Sequence, residues 1–392
     1  MIKYTRSSHM KYIPFYIPHI PKTTYKEIKK VIDSGWITTG PKVKAFEDQF
    51  GQVIKSEYNI AVSSCTAALH LAYLAHHLGP GDEVIVPSFT FCSTVNMIVQ
   101  VGATPIFCDI DENIFCANPE SIQKLITART KAIVVVHYAG MPANLEEINR
   151  LAKNHGLIVI EDAAHAFMTK YHGQYIGSGN NTTCFSFYAT KNLTTAEGGM
   201  VTTSDLKIKE FIEIMRMHGI SKHAWNRYGK QGSWEYDVIS PGYKYNLTDI
   251  AAVIGIEQLK RIKVSASRRH YLASTYKKFL EVNPNVILPA AVPDSDSEHA
   301  WHLFTIRISP GSKITRDDLI DKLNNFGIGT SVHFIPNHLQ SYYQKRFGKN
   351  NSLPVTEKVY QSIVSLPFYE DLTKKQIEYI CSKINILTNI HD

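Results

Sequence analysis

Strand-like and helix-like segments alternate between residues 58 and 203, and this alternation constrains the fold more than any other feature. The predicted strands are Tyr58–Ser63, Glu83–Pro87, Thr104–Asp109, Ala132–His137, Leu157–Glu161, Cys184–Tyr188 and Met200–Thr203. The Ala- and Leu-rich stretch from Thr66 to His77 is predicted to be a helix that starts directly at a strand end. Such an order of elements indicates an α/β sheet of about seven strands covered by helices on both faces.

The segments after residue 203 indicate a second, smaller unit. Residues 219–245 are rich in Gly, Trp and Tyr without clear periodicity, and we interpret them as an active-site or interface loop. One helix is predicted from Asp249 to about Glu281, and residues 289–298 have the composition of a linker into a second α/β unit that begins with residues 299–308. The predicted domains are an N-terminal arm or possible tag (1–20), a large domain (21–265) and a small C-terminal domain (266–392).

The composition of the 392-residue chain excludes several classes of protein. With 44% apolar and 20% charged residues, it is typical of a soluble globular protein that is long enough for two domains. No apolar run reaches the roughly 18 residues of a membrane helix and no signal peptide is evident, so we expect a cytoplasmic protein. The net charge of +7 is spread along the chain, which argues against nucleic-acid binding. Six scattered cysteines without a CxxC pair argue for buried thiols and against disulfides or a metal site.

A lysine follows one predicted strand at a position that packing explains poorly. Lys191 comes at the end of an apolar stretch and shortly before the glycines at 198 and 199. Burial of an ammonium group is costly, but a desolvated neutral amine can form an imine with an aldehyde cofactor. Ser186, five residues earlier, is a candidate for contact with a cofactor phosphate. Taken alone, however, Lys191 is better explained as a surface lysine on a loop.

A carboxylate and an imidazole follow the strand that precedes this one. Asp162 and His165 come at the carboxyl end of that strand, where ligands gather in open α/β sheets. A carboxylate there can keep a pyridine nitrogen protonated, so that a pyridoxal-phosphate (PLP) ring remains an effective electron sink. Taken alone, Asp162 is equally well explained as a helix cap and His165 as a hydrogen-bonded core histidine.

Two further segments have weaker signals. The small residues from Ser63 to Ala68 join a strand to a helix N-terminus, where free N–H groups and the helix dipole favour a phosphate. On this segment alone, a simple N-cap is the better interpretation. In the segment from Gly242 to Asp249, Asn246 or Thr248 is a candidate cap of the following helix.

Taken together, these segments resemble the sugar-nucleotide aminotransferases of the DegT/StrS type. The resemblance runs from about Gly35 to the C-terminus, and such a set of motifs in this order is highly specific. The motifs are Thr38-Thr39-Gly40-Pro41, Cys65-Thr66-Ala67-Ala68-Leu69, Pro87-Ser88-Phe89-Thr90-Phe91, Glu161-Asp162-Ala163-Ala164-His165, Ser186-Phe187 with Thr190-Lys191, Glu197-Gly198-Gly199, Tyr245-Asn246 and Val332-His333-Phe334. The resemblance implies the aspartate-aminotransferase fold (fold type I of PLP enzymes), with a mostly parallel sheet in a large domain and a smaller C-terminal α/β domain.

The resemblance also implies roles for individual residues. Lys191 would carry PLP as a Schiff base, and Asp162 would pair with the pyridine nitrogen. Thr66, Ala67 and Ser186 would bind the cofactor phosphate. Both halves of a transamination would then use Lys191 as the proton carrier.

Other residues take their expected roles from the same resemblance. Phe91 would stack on the cofactor ring and His165 would lie beside it. Cys65, in the cofactor-binding turn, stands where the family usually has Gly, and its larger side chain is expected to shift that turn. In such enzymes the residue matching Asn246 reaches the phosphate of the neighbouring subunit, which implies a homodimer with shared active sites.

The reaction implied by the resemblance moves an amino group to a nucleotide-linked keto sugar. L-Glutamate would donate the nitrogen and leave as 2-oxoglutarate. Residues 136–142 and 242–249 look most like members that aminate C4, including the UDP-4-keto-pentose enzyme of lipid A modification. The nucleotide could be UDP, dTDP or GDP, and the product would serve lipopolysaccharide, capsule or glycosides. Thr39 and His333 are candidates for contacts with the sugar or the nucleotide.

Four alternatives remain beside this interpretation. A C3 aminotransferase would share the same motifs. A dehydratase of the same fold would have histidine in place of Lys191, and a nicotinamide dehydrogenase would need a GxGxxG turn that residues 63–66 do not provide. A non-enzymatic regulator or scaffold descended from the fold would be expected to lose Asp162 or Lys191, and both are present.

Overall fold

A computed structural model describes residues 12–221, 236–348 and 352–389, and its main feature is a seven-stranded sheet. The strands of this sheet and of a short hairpin are, in chain order, β1 (Tyr58–Val62), β2 (Glu83–Pro87), β3 (Thr104–Cys108), β4 (Thr130–Val136), β5 (Ile158–Asp162), β6 (Lys170–Tyr171), β7 (Gln174–Tyr175), β8 (Thr182–Ser186) and β9 (Gly199–Thr203). Strands β6 and β7 form the hairpin, and the other seven form the sheet. The seven strands predicted from the sequence are confirmed, each to within two residues at either end.

The strand order places the carboxyl ends of six strands at one edge of the sheet. The order is β1-β9-β8-β5-β4-β2-β3, and β9 runs antiparallel to both of its neighbours while the other adjacent pairs run parallel. The interior strands β4 and β5 are largely buried and are apolar apart from the first two residues of β4 and the last two of β5, as expected for a sheet covered on both faces. The prediction of a mostly parallel α/β sheet is therefore confirmed.

Helices cover the sheet and build the rest of the molecule. In chain order they are α1 (Thr23–Asp33), α2 (Pro41–Ile54), α3 (Cys65–Ala75), α4 (Cys92–Gln100), α5 (Pro119–Leu125), α6 (Leu145–His155), α7 (Leu206–Met215), α8 (Asp249–Leu259), α9 (Ile262–Leu280), α10 (Arg316–Asn325), α11 (Ser341–Phe347), α12 (Pro354–Ser362) and α13 (Lys374–Thr388). Helix α3 confirms the predicted helix after the first strand, and it is buried over most of its length. Within the described ranges, no helix combines the length and the apolar character that crossing a membrane requires.

The prediction of one continuous helix from Asp249 to Glu281 is wrong. Helix α8 ends at Leu259 and α9 begins at Ile262, with Arg261 at a non-helical φ of −119° and ψ of 11°. The Arg261 guanidinium lies 2.7 Å from the Glu370 carboxylate, which anchors the break. The two helices part because α8 packs in the core beside the large sheet, whereas most of α9 packs in a separate C-terminal core.

The C-terminal part forms a smaller α/β unit. Its antiparallel sheet has the order β10-β11-β12, with β10 (Val286–Ile287), β11 (Phe304–Ile308) and β12 (Ile363–Leu366). Helices α9, α10 and α13 pack against this sheet. The N-terminal arm joins the same core, because Ile13 is buried there and its N–H donates to Gly327 O at 2.8 Å. The domain boundaries at residues 20 and 265 stay predictions.

Two other sequence expectations concern loops and cysteines. Of the predicted 219–245 loop, residues 222–235 lie outside the described residues, and the remainder forms no helix or strand apart from isolated bridges. All six cysteines carry free thiols, five of them buried, while Cys92 is only partly covered.

Candidate active site

A cavity of about 440 Å³ opens at the edge of the sheet where the parallel strands end. Strand β5 ends there at Asp162, β8 ends at Ser186, and β9 begins there at Gly199. The lining also includes residues from the N-terminal arm and from the C-terminal unit. The lining residues are Phe15, Tyr16, Ser64, Cys65, Thr66, Thr90, Phe91, Ser93, Val136, Asp162, Ala164, His165, Ser186, Tyr188, Thr190, Lys191, Glu197, Gly198, His302, Leu303, His333, Phe334 and Phe368.

Asp162 is a buried carboxylate with few protein partners. The Thr94 hydroxyl donates to Oδ2 at 2.6 Å, the Ala164 N–H donates to Oδ1 at 3.0 Å, and the Cys65 thiol lies 4.0 Å from Oδ1. Burial raises the pKa of Asp162, although the hydrogen bonds from Thr94 and Ala164 oppose this shift. A cationic partner in the cavity would therefore gain from pairing with this carboxylate and would favour its ionised form. The alternative role of Asp162, a helix cap, is supported only by the hydrogen bond that its carboxylate accepts from the Ala164 N–H.

Lys191 lines the same cavity on the turn after β8. Its backbone N–H donates to Tyr188 O at 2.9 Å, and its carbonyl accepts a hydrogen bond from the Tyr16 hydroxyl at 3.0 Å. Burial lowers the pKa of Lys191 to about 8, while Cys65 and Asp162 act in the opposite direction. The neutral, nucleophilic fraction of the amine is therefore about a tenth at pH 7, far more than for an exposed lysine. The surface-lysine alternative is excluded by this placement.

The turn between β1 and α3 supplies donors at one end of the cavity. Cys65 and Thr66 line the cavity, whereas Ala67 does not, and the Ala67 N–H donates to the N-cap hydroxyl of Ser64 at 3.0 Å. The N-cap interpretation of this segment is therefore confirmed. The turn lies so close to β9 that a Cβ on Gly199 would be 2.5 Å from the carbonyl carbon of Ser64. This contact explains why glycine stands at position 199.

Ser186 and Phe91 reach the cavity from opposite sides. Ser186 is buried at the end of β8, and its hydroxyl accepts a long hydrogen bond of 3.4 Å from the Tyr188 N–H. Phe91 is 55% exposed, and the centre of its ring is 5.9 Å from that of Phe334. An exposed aromatic ring at the mouth of a cavity is available to stack on a planar ligand.

Three histidines around the cavity are neutral because they are buried. Burial lowers the pKa of His333 to about 4 and the pKa values of His165 and His302 well below the usual range. His165 Nδ1 accepts the Ala139 N–H at 3.2 Å, so the ring proton is on Nε2. The interpretation of His165 as a hydrogen-bonded core histidine is thus compatible with its place in the cavity wall.

Thr39 and Asn246 lie outside this cavity. The Asn246 amide donates to the Thr39 hydroxyl at 2.6 Å, and that hydroxyl donates to Leu247 O at 2.5 Å. Asn246 also forms an isolated β-bridge with Val62, next to the turn between β1 and α3. The neighbouring Thr248 side chain accepts the Ala251 N–H and caps α8, which confirms one of the two predicted caps.

Four groups at the site, Phe15, Tyr16, Thr94 and His302, were not predicted from the sequence. Phe15 and Tyr16 belong to the predicted N-terminal arm or possible tag (1–20), and His302 lies in the segment 299–308 after the predicted linker. Thr94 lies in α4 and contacts the site through Asp162 and Thr90. Of these, only His302 lies in a segment that the sequence singled out, residues 299–308, where its imidazole stands within a largely apolar stretch.

The donor set of the cavity fits PLP. An amine of lowered pKa, a buried carboxylate and a helix N-terminus with nearby hydroxyls are the groups that an aldehyde, a pyridine nitrogen and a phosphate require. A sequence profile of the DegT/DnrJ/EryC1/StrS aminotransferase family matches residues 18–385. The chain belongs to this family.

Individual relatives agree with this assignment. The spore coat polysaccharide biosynthesis protein SpsC of Bacillus subtilis (strain 168) is 43% identical over 376 residues, which cover 95% of this chain and 96% of SpsC. The PLP form of the putative sugar aminotransferase Spr1654 from Streptococcus pneumoniae has a TM-score of 0.90 at 30% identity, with 96% of this chain and 99% of that chain covered. Helicobacter pylori PseC, an aminotransferase of pseudoaminic acid biosynthesis, has a TM-score of 0.89 at 27% identity, with 96% and 99% covered. The enzyme is a PLP-dependent sugar aminotransferase.

Proposed function

We propose that this aminotransferase transfers an amino group from L-glutamate to C4 of a nucleotide-linked 4-keto sugar. The observation that carries the proposal is the presence of Lys191 and Asp162 in one cavity, with the pKa of each shifted by burial. UDP-, dTDP- and GDP-linked sugars are all candidate substrates. The product would be an amino sugar for lipopolysaccharide, capsule or glycosides.

In this proposal, Lys191 and Asp162 have distinct tasks toward the cofactor. When bound, PLP withdraws electrons from the carbon that carries the transferred nitrogen. Lys191 Nζ would hold the cofactor through an imine and, as a free amine, would carry the proton to and from that carbon. The Asp162 carboxylate pairs with the pyridine nitrogen, and the shift of its pKa by burial makes a cationic partner favourable.

The remaining cofactor contacts fix the position of the ring and the phosphate. Thr66 and Ser186 supply hydroxyls to the phosphate, and the N-terminus of α3 supplies the helix dipole. Ala67 contributes through this N-terminus, where its N–H is shared with the Ser64 hydroxyl. Phe91 stacks on the exposed face of the ring, and His165 lies beside the ring with its Nε2 proton as a donor.

The rest of the cavity suits a sugar. Neutral imidazoles at 165, 302 and 333 offer donors and acceptors to hydroxyl groups without adding charge. Aromatic rings at Phe15 and Phe334 supply apolar surface beside them. The preference for C4 rests on the likeness of residues 136–142 and 242–249 to members that aminate C4, and Val136 lines the cavity.

The charges of the cavity support a shared site in a homodimer. Among the described residues, no arginine lines the cavity, and Lys191 is its single lysine. A diphosphate and the carboxylates of glutamate need cations or strong donors, which a second subunit would bring. In this arrangement Asn246, which lies outside its own cavity, contacts the cofactor phosphate of the partner subunit.

A substrate panel tests the reaction. The purified enzyme is incubated with PLP, glutamate and UDP-, dTDP- or GDP-linked 4-keto and 3-keto sugars, and products are assigned by NMR. Formation of a 4-amino sugar with release of 2-oxoglutarate is the expected result. Turnover of 3-keto sugars alone would replace the C4 assignment with C3, and no turnover of any keto sugar would refute the proposed substrate class.

Subunit mixing tests the shared site. Lys191→Ala and Asn246→Ala homodimers should each be nearly inactive, whereas a mixed dimer contains one site with both changes and one intact site. Activity should therefore return to about a quarter of the wild-type value after equal mixing and subunit exchange. Analytical ultracentrifugation first establishes the oligomeric state. If exchanged mixtures stay inactive, Asn246 does not act across subunits.

A further inference from the structure

A buried amide in the C-terminal unit contacts the loop after β2. Asn337 is 1% exposed, and its Nδ2 donates to Ser88 O at 3.1 Å and to Thr90 O at 2.8 Å. Its backbone N–H also donates to Ser88 O, at 2.9 Å. Asn337, some 250 positions away in sequence, therefore donates hydrogen bonds to two carbonyls of the four-residue loop 88–91.

This loop depends on outside contacts for its shape. It leads from β2 to Phe91, which is the N-cap position of α4 but makes no side-chain capping hydrogen bond. The next residue along the chain reinforces the contact, because the His338 N–H donates to the Ser88 hydroxyl at 3.0 Å. Residues 337 and 338 therefore help to hold the backbone that carries Phe91, whose ring centre also lies 5.9 Å from that of Phe334.

The same loop begins a chain of hydrogen bonds to Asp162. Thr94 Oγ1 lies 2.6 Å from Asp162 Oδ2 and 3.1 Å from Thr90 Oγ1. An ionised carboxylate only accepts, so the Thr94 proton goes to Asp162 and the Thr90 hydroxyl donates to Thr94. Hydrogen bonds in such a chain polarise one another, and a donor to the charged form stabilises that form. Thr90 thus supports the ionised state of Asp162.

We infer that Asn337 is a positioning residue for the cofactor, through which the C-terminal unit sets both Phe91 and the Thr90–Thr94–Asp162 chain. Without its amide, the carbonyls of Ser88 and Thr90 lose buried donors and the loop relaxes. Phe91 then stacks less well, and Asp162 loses part of its support. The inference rests on the roles proposed above for Asp162 and Phe91.

Asn337→Ala tests the inference, with Asn283→Ala as a matched control. Asn283 is also a buried amide (3% exposed) that donates twice, to Asn385 Oδ1 and Thr388 Oγ1, both at 2.8 Å, but it lies in the C-terminal core away from the cavity. Both variants should be less stable to unfolding as apoenzyme. Only Asn337→Ala should weaken PLP binding, by about tenfold for the loss of one to two hydrogen bonds.

Thr90→Val keeps the inference testable if Asn337→Ala folds poorly, because it preserves the shape of the side chain. It too should weaken PLP binding, and it should raise the pH midpoint of the visible band of the bound cofactor. When Asp162 is less ionised, the pyridine ring of PLP carries less positive charge. The nitrogen that links PLP to Lys191 is then harder to deprotonate. The double variant Asn337→Ala with Thr90→Val should lose less PLP affinity than the sum of the two single losses. Both changes act through the same hydrogen bonds from Thr90 to Thr94 and Asp162.

Asp162→Asn separates the two possible failures. If this variant binds PLP as tightly as the wild type, the proposed role of Asp162 fails. If it binds weakly while Thr90→Val and Asn337→Ala bind normally, the role of Asp162 stands and the inference about Asn337 is overturned. Equal PLP affinity of Asn337→Ala and Asn283→Ala would overturn it as well.

Discussion

The two sides of the cavity are built in different ways. We call one side the strand-end wall, formed by Thr66, Asp162, Ser186 and Lys191, which follow strands of the large sheet within a few residues. Because parallel strands end at one edge, these groups meet as soon as the sheet forms. The roles proposed for them are covalent and ionic, and the local sequence around each strand end was enough to single them out.

The opposite wall has another origin. It consists of Phe15, Tyr16, His302 and His333, which come from the arm and from two segments of the C-terminal unit. None of these residues marks the end of a large-sheet strand, and they meet only when the arm and the C-terminal unit pack against the sheet. In the proposed mechanism the first wall carries the reaction, while the second shapes the space around it. Changes in the strand-end wall should therefore have the larger effects.

The largest effect is expected for Lys191→Ala. Without the amine the cofactor cannot be held covalently and the proton carrier is lost, so kcat/KM should fall by about 10⁴-fold or more. The visible absorbance band of the bound cofactor should disappear. Lys170→Ala is the control, because Lys170 pairs with Glu298 at 2.7 Å outside the cavity, and it should retain activity and band. Retention of the band by Lys191→Ala would refute the assignment of Lys191 as the residue that holds PLP.

Asp162→Asn should have the next largest effect, and Asp249→Asn is its matched control. Both carboxylates are buried, but Asp249 accepts three backbone N–H groups, from Gly40, Lys42 and Val43, at 2.9 to 3.1 Å. Asp162→Asn should lower kcat/KM by roughly 10²-fold or more, because the charge that pairs with the pyridine nitrogen is removed.

Asp249→Asn should instead lower the free energy of unfolding by about 2 kcal/mol and leave the cofactor spectrum unchanged, because a buried N–H loses its acceptor. Denaturant titration and absorbance spectra distinguish the two outcomes. Similar spectra for both variants would mean that Asp162 is a structural carboxylate like Asp249.

The contrast between the walls also explains what the sequence revealed. The strands, Asp162 and Lys191 could be predicted because apolar runs and the residues that end them are local patterns. Tyr16 could not, because its hydroxyl meets Lys191 O across 175 positions of the chain. Thr94 lies in an ordinary helix, and only the packing of α4 against β5 turns it into a donor to Asp162.

The break between α8 and α9 escaped prediction for a similar reason. The sequence from Asp249 to Leu280 is compatible with one helix, and neither glycine nor proline marks the break at Lys260 and Arg261. The chain turns because the two halves pack in different cores and Arg261 pairs with Glu370. Local propensity does not contain that information.

The pH dependence of cofactor capture should report the strand-end wall alone. Because burial lowers the pKa of Lys191 to about 8, its amine becomes neutral as the pH rises through that value. The neutral fraction grows from about 3% at pH 6.5 to about 75% at pH 8.5, so the rate at which apoenzyme binds PLP should rise about 25-fold and then level off.

Titration of the opposite wall should not disturb this profile. Burial lowers the pKa of His333 to about 4, so this ring stays neutral over the whole range. Stopped-flow measurement of the visible band provides the rates. A rate that still climbs above about pH 10 would mean that Lys191 keeps the pKa of an exposed lysine.

The smallest effect is expected on the opposite wall, for Tyr16→Phe. The Tyr16 hydroxyl donates to Lys191 O at 3.0 Å and accepts from Arg269 Nη2 at 3.4 Å. Its removal leaves a carbonyl of the lysine turn without this donor, at a cost of about 1 kcal/mol, so kcat/KM should fall about fivefold while the visible band remains. The pH midpoint of the band should also move, because the turn that carries Lys191 is less well held.

Tyr276→Phe provides the comparison that decides this last prediction. The Tyr276 hydroxyl donates to Pro367 O at 2.8 Å in the C-terminal core, so its loss should cost about the same stability but leave kcat/KM and the band unchanged. If the two variants prove equally active, Tyr16 only stabilises the arm, and the opposite wall has no influence on the turn that carries Lys191. If Tyr16→Phe instead loses as much activity as Asp162→Asn, the arm is part of the catalytic apparatus and the division between the two walls is wrong.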